Sequence, residues 1–285
     1  MNLVEASTLV VPVVLAVTFH EAAHGFVAYQ FGDDTAWRAG RVTFNPVKHI
    51  DLFGTIILPA LLLFSSSGRF MFGYAKPVPV NFRRLNRPRR DMVWVAVAGP
   101  ATNVLLAIAS SFLLYGVGWV PASSAEWVVA NLWNSVQFNA LICVFNMLPL
   151  PPLDGGRVAV GLLPDALALP LARLERYGIL ILLLFLFVLP FVGEQIGYNL
   201  NILGWVISRP ADALSHFVLA ITGVSDVNRF TTLAVTPSAL MASPAPAAAT
   251  APLVVSLAAV PAGDTVCWLS VVPTWPESTR PALTA

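Results

Sequence analysis

The chain has 285 residues, 57% of them hydrophobic and only 11% charged, with a formal net charge of +1. A soluble domain carries about 25% charged residues, so this composition excludes an ordinary soluble enzyme and predicts an all-α polytopic membrane protein. The near-neutral charge gives no basis for nucleic-acid binding, and two cysteines, Cys143 and Cys267, supply neither a disulfide framework nor a thiolate metal site.

The first apolar run covers residues 7–30, enough for one crossing at about 20 residues per span. No basic segment and no small-residue cleavage site precedes it, which predicts a permanent span and not a removed signal peptide. Inside it lies Thr18-Phe19-His20-Glu21-Ala22-Ala23-His24-Gly25. Residues four apart on a helix share a face, so His20 and His24 project side by side. Two imidazoles at that spacing suit one Zn²⁺, with Glu21 beside them to take a proton from water. Ala22, Ala23 and Gly25 leave room for a neighbouring backbone.

Residues 33–51 are more polar. Trp37–Phe44 alternates loosely and predicts a short strand; Asn45-Pro46 marks a turn. Leu52–Phe64 is apolar but short and carries Gly54 and Pro59, which predicts a re-entrant or interfacial segment. Arg69, Lys76, Arg83, Arg84, Arg87, Arg89 and Arg90 form a cluster that reads as a cytoplasmic orientation signal. Within it, Ala75–Asn81 is expected to be extended, because Pro77 and Pro79 disfavour helix in the residues before them.

A second span covers 92–119 and contains Gly99-Pro100-Ala101-Thr102-Asn103. A third covers 126–148, where Asn139 and Asn146 share a face and must turn toward the bundle or a wet cavity. The loop 120–125 has no Lys or Arg, as expected on the non-cytoplasmic side. The third span ends in Asn146-Met147-Leu148-Pro149-Leu150-Pro151-Pro152-Leu153-Asp154-Gly155-Gly156-Arg157. Its prolines break the helix, and unwound backbone at membrane depth survives only where it lines a cavity. Residues 177–193 predict a fourth span and 198–222 a fifth, interrupted at Arg209-Pro210. The fold is thus about five transmembrane helices with a small β or re-entrant element between the first two spans. Residues 1–225 read as one membrane domain. Residues 226–285, increasingly rich in Ala, Pro, Ser and Thr, read as a disordered tail.

With the basic cluster in the cytoplasm, the third span returns inward and Asp154 lies toward that side. The histidines occupy the C-terminal half of the first span, before Arg38, Arg41 and Lys48, which places them on the same side. A catalytic zinc needs three protein ligands and an open position. His49 and His216 are possible third ligands. Asp154 fits better: its carboxylate, costly beside a membrane, gains a partner, and Gly155-Gly156 let the backbone turn. Asn103 or Asn146 would suit donors to a developing oxyanion. No motif specifies an oligomeric state.

His20-Glu21-x-x-His24, Gly99-Pro100-x-x-Asn103 and Asn146-x-x-Pro149-x-x-Pro152-Leu153-Asp154-Gly155-Gly156 together resemble the site-2 protease family of intramembrane zinc metalloproteases. The likeness spans about residues 5–225, and Ala75–Asn81 resembles a loop of the short bacterial members. It implies that His20, His24 and Asp154 hold one zinc, that Glu21 is the catalytic base, and that Asn103 and Asn146 lie near the site. It implies a transmembrane protein substrate, such as an anti-sigma factor or signal-peptide remnant, cleaved in the lipid bilayer of a bacterial cell membrane. No insert long enough for a PDZ domain and no C-terminal nucleotide-sensing pair is expected. The residues 37–44 or 76–81 would offer an edge for an unwound substrate strand. A membrane metal-ion transporter would also use buried His, Asp and Asn, but it predicts repeated halves with broken helices and gives Glu21 no task. An inactive scaffold of the same fold is opposed by the intact His20, Glu21, His24 and Asp154.

Overall fold

Backbone groups in a bilayer must bond within their own segment, and among the described residues the long apolar runs form helices. The computed structural model describes residues 3–58, residue 61 and residues 73–224. Helix α1 (Leu3–Gln30) carries the His-Glu-x-x-His turn, and the short α2 (Thr35–Arg38) follows it. Helices α3 (Pro88–Leu113) and α4 (Ala122–Asn146) complete the inner bundle. A proline-rich turn with a cis Pro151–Pro152 peptide leads to α5 (Asp154–Leu162) and α6 (Asp165–Leu174). Next come α7 (Gly178–Leu183), a π-helical turn at Leu184–Val188, α8 (Leu189–Ile196) and α9 (Ile202–Thr222).

Among the described residues, four helical stretches are long and apolar enough to cross a membrane: Ser7–Gln30, Pro88–Trp119, Ala122–Asn146 and Asp165–Ile196. The predicted crossing at 198–222 appears as the continuous helix α9, but with Arg209, Pro210 and Asp212 near its middle it is not one of the four. Polarity is inverted relative to a water-soluble protein. Trp94, Leu105, Phe112, Ile179 and Leu180 are exposed, while Thr18, His20, His24, Asn103 and Asn139 are buried. Such a surface suits hydrocarbon, where polar groups gather inside.

Helices α1, α3 and α4 pack directly on one another. Small buried residues (Ala16, Ala22, Ala96, Ala107, Ala140) let their backbones approach closely. At one end Val218 and Leu219 of α9 join Leu114, Val129 and Val136 in an apolar cluster. A second cluster, Leu141 with Leu182, Leu186, Leu203 and Ile207, fixes the C-terminal helices to α4.

The connection from α1 to α3 differs from the expected strand. Among the described residues there is no strand. Trp37 and Arg38 sit in α2, whose turn closes with Arg38 N–H donating to Asp34 O at 2.9 Å; Gly40, at φ 63°, then ends it. Local i→i+4 bonding wins here because no partner strand lies alongside. Leu52–Ile57 forms a π-helical turn. The rest of the expected re-entrant segment, apart from residue 61, lies outside the described residues, as do Arg69 and the tail 226–285.

Residues 73–81 are extended as expected, yet their partners belong to no sheet. Lys76 N–H donates to His49 O at 2.9 Å and the Arg41 guanidinium donates to Lys76 O at 2.6 Å. Asn81 N–H donates to Asp33 Oδ2 at 2.6 Å. Asp33 is fully buried and also accepts from Thr35 N–H at 3.1 Å, so it ties this strap to the end of α1. Replacing Asp33 with Ala orphans these donors at a cost of about 1–3 kcal/mol. The expected result is faster amide exchange across residues 76–82 with α3 and α4 unchanged; unchanged exchange in the strap would remove Asp33 from this role.

Candidate metal centre

His20 and His24 lie one turn apart on α1, and Asp154 is the first residue of α5. Their side chains meet. The two Nε2 atoms are 3.0 Å apart, and Asp154 Oδ2 is 3.2 Å from His20 Nε2 and 3.3 Å from His24 Nε2. Among the described residues these three form a group that could hold a metal ion, and all three are buried.

The outer nitrogens show what the inner ones carry. His24 Nδ1 lies 2.7 Å from the backbone carbonyl of Val95, which can only accept, so this nitrogen bears the hydrogen. His20 Nδ1 lies 2.6 Å from Asn103 Oδ1, again an acceptor. In the neutral rings both Nε2 lone pairs are therefore bare, and they converge with a carboxylate oxygen. Three acceptors this close repel one another unless a cation sits between them. A tetrahedral zinc with bonds of about 2.0–2.1 Å holds its ligand atoms about 3.3 Å apart, which matches this triangle. Imidazoles with the outer N–H given to a carbonyl are the usual form of metal-bound histidine.

Helix α3 shapes the remaining side of the triangle. An added Cβ at Gly99 would stand 2.5 Å from His24 Nε2 and 2.6 Å from His20 Nε2. Only glycine lets the α3 backbone pack this close to both rings. The same holds where α5 begins: a Cβ on Gly155 would strike the carbonyl oxygens of Met147 and Leu148. The turn after α4 folds back onto α5 because Gly155 permits it, and this aims Asp154 at α1.

Glu21 is half-buried, and its Oε2 accepts a hydrogen bond from Val78 N–H at 2.8 Å. The extended strap therefore reaches the carboxylate beside the triangle. Asn103 is fully buried, with Nδ2 donating to Asn139 Oδ1 at 2.8 Å and to Ala16 O at 3.3 Å. With both N–H groups engaged, it has none to offer a substrate oxygen. Asn146 donates Nδ2 to Ile142 O at 3.1 Å, one turn back on its own helix, and no hydrogen bond ties it to the triangle. His49 is buried in the strap region, 3.0 Å from Thr43 O, and His216 lies on α9; neither joins the group.

Arg157 was not singled out by any motif, though it stands one turn after Asp154. Its Nη1 lies 4.0 Å from Asp154 Oδ1 and its Nη2 3.5 Å from Glu175 Oε1, and its guanidinium sits over the Phe82 ring. This places positive charge behind the carboxylate and leaves Oδ2 for the histidine side.

The family model described as Peptidase family M50 matches residues 8–122. The chain is 42% identical over 188 residues to "Putative zinc metalloprotease YwhC" of Bacillus subtilis (strain 168), covering 64% of this chain and 80% of that protein. The chain belongs to peptidase family M50. It is also 31% identical over 176 residues to "Putative zinc metalloprotease Rip2" of Mycolicibacterium smegmatis, covering 60% of this chain and 63% of that protein. To "Putative zinc metalloprotease MJ0611" of Methanocaldococcus jannaschii it is 29% identical over 142 residues, covering 49% of this chain and 62% of that one. No solved structure gives a significant match. Membership of M50 and the four apolar helices agree on a membrane protein.

The close approach at Gly99 gives a direct test of the centre. Gly99→Ala is expected to lower zinc affinity by at least about 100-fold, beyond the usual cost of an outer-shell change, while helical content by circular dichroism stays at the wild-type level. A Gly99→Ala protein that retains wild-type zinc affinity would show that the metal lies elsewhere.

Proposed function

We propose that this M50 member is an intramembrane zinc metalloprotease that hydrolyses a peptide bond in or beside a transmembrane segment of another protein. The observation that carries this reading is the triangle of bare acceptors, His20 Nε2, His24 Nε2 and Asp154 Oδ2, matched to the spacing of zinc ligands. The zinc names of its relatives support the choice of metal.

In this reading His20, His24 and Asp154 would hold one Zn²⁺ per chain, three protein ligands where a catalytic zinc keeps a fourth position for water. A bound zinc supplies Lewis acidity, lowering the pKa of water to about 7 and polarising a carbonyl. Glu21 accepts the proton that the attacking water releases and returns it to the leaving amine as the C–N bond breaks. Val78 N–H holds one oxygen of that carboxylate, so the other is the one available to the proton. Asn103 holds His20 and serves as a positioning residue. Asn146, free of the triangle, is the remaining candidate to donate to the oxyanion.

The site faces the cytoplasmic side of a bacterial cell membrane in this reading, since the basic residues Arg83, Arg84 and Arg87 lie between α1 and α3, and Arg89 and Arg90 in the first turn of α3. Water then enters from the cytoplasm and the substrate from the lipid. A helical substrate must unwind before attack, because its peptide groups are bonded internally. The extended residues 76–81 would receive the unwound piece by strand addition; residues 37–44, which form no extended segment, would not.

Glu21→Gln is expected to retain zinc and to lower peptide-bond cleavage by about 10²–10⁴-fold; cleavage at the wild-type rate would defeat the proposal. Val78→Pro removes the N–H that Glu21 accepts together with a buried side chain, so Val78→Ala, which trims that side chain but keeps the N–H, is the control. The lost bond is worth about 1.5 kcal/mol, so cleavage should fall about tenfold with zinc content unchanged. An unchanged rate would separate the strap from the base.

A further inference from the structure

We propose that Asn139, on α4, sets the tautomer of His20 by orienting the amide of Asn103. The inference rests on the proposed ligand role of His20, but its logic starts from a group whose role is unambiguous. The backbone carbonyl of Ser135 can only accept. Asn139 Nδ2 lies 2.8 Å from it and 3.2 Å from Ser135 Oγ, so the nitrogen end of this amide must point along α4. Its oxygen end then points at α3 and accepts from Asn103 Nδ2 at 2.8 Å. A second obligate acceptor, Ala16 O on α1, lies 3.3 Å from the same nitrogen.

Asn103 therefore has one allowed orientation. Flipped, its oxygen would face two acceptors in a buried site, since Asn103 is 0% and Asn139 1% exposed. Held as it is, Asn103 Oδ1 faces His20 Nδ1 at 2.6 Å and draws the ring hydrogen there. His20 Nε2 is left bare, 3.2 Å from Asp154 Oδ2. The other tautomer would put a hydrogen on Nε2, pointing into the triangle, and close the position to a metal. Orientation thus passes from a carbonyl on α4, through amides on α4 and α3, to a ring on α1. In so low a dielectric each member polarises the next. Asn139 makes its hydrogen bonds to Asn103 and Ser135 and none to His20, His24 or Asp154, so it acts through Asn103, as a positioning residue.

The test uses the full chain in detergent with ¹⁵N-labelled histidine and no metal. The chain has four histidines, so the His20 signals are assigned by their loss in His20→Gln. Wild type is expected to show His20 protonated at Nδ1. Asn139→Leu, or Asn139→Ala should the leucine variant fail to fold, is expected to show a mixture with Nε2–H. Ser135→Ala removes the Oγ and its bond to Ser110 but keeps the orienting carbonyl, so it should match wild type. In parallel, chelator competition should show zinc affinity reduced about 10–100-fold in the Asn139 variants and by less than about threefold in Ser135→Ala. A wild-type tautomer in the Asn139 variants, an Nε2–H tautomer in wild type, or equal losses in Ser135→Ala and the Asn139 variants would overturn the relay. If wild type binds no zinc while the tautomers respond as stated, the relay stands and the ligand role of His20 falls.

Discussion

Two imidazole lone pairs and a carboxylate oxygen converge within 3.3 Å of one another, and the rest of the structure is arranged around that repulsion. Left without a cation, such a cluster in a low-dielectric interior is costly. It persists because each member is held from behind: His24 by the Val95 carbonyl, His20 by Asn103, and Asp154 by the start of α5 with Arg157 at its other oxygen. These supports come from α3 and α5 while the histidines come from α1. The helix packing and the centre are therefore one problem, and the small residues that let α1, α3 and α4 approach also set the size of the triangle.

The bilayer environment explains why so much polar chemistry is internal. Water cannot satisfy a buried amide in the middle of a span, so Asn103 and Asn139 bond to each other and to backbone carbonyls. Such contacts fix orientation as well as position, because an amide has one donor end and one acceptor end. In a soluble enzyme, waters would blur that polarity. Here it is carried intact from one helix to the next. The strap of residues 73–81 solves a different problem: it brings an extended backbone beside the centre without a sheet, using side chains of Glu21, Asp33 and Arg41 as its partners.

Much of this was legible in residue spacing. A four-residue interval on a helix places His20 beside His24 with no further information. Asp154 could be reached from about 130 residues away because a charge next to a proline-broken span demands a partner, and the structure does bring it to the histidines. The supports were harder to read. Asn139 shows only as a polar residue sharing a face with Asn146, and periodicity does not say that its neighbour across the interface is Asn103. Asn103 or Asn146 was expected to donate to an oxyanion, but whether an amide has a free N–H depends on contacts between helices. The alternation in Trp37–Phe44 suggested a strand, yet no partner lies beside it, and local helical bonding prevails. The link between Val78 and Glu21 joins positions 57 residues apart through a backbone N–H, which carries no sequence signal at all.

The central claim is that His20, His24 and Asp154 bind one zinc and leave a position open. X-ray absorption at the zinc edge, recorded on the purified protein, reads that coordination directly. The account predicts a first shell of nitrogen and oxygen at about 2.0–2.1 Å, with outer scattering from two imidazoles and no sulfur. His24→Ala should remove one imidazole contribution. A sulfur shell, a six-oxygen shell, or an imidazole count unchanged in His24→Ala would contradict it.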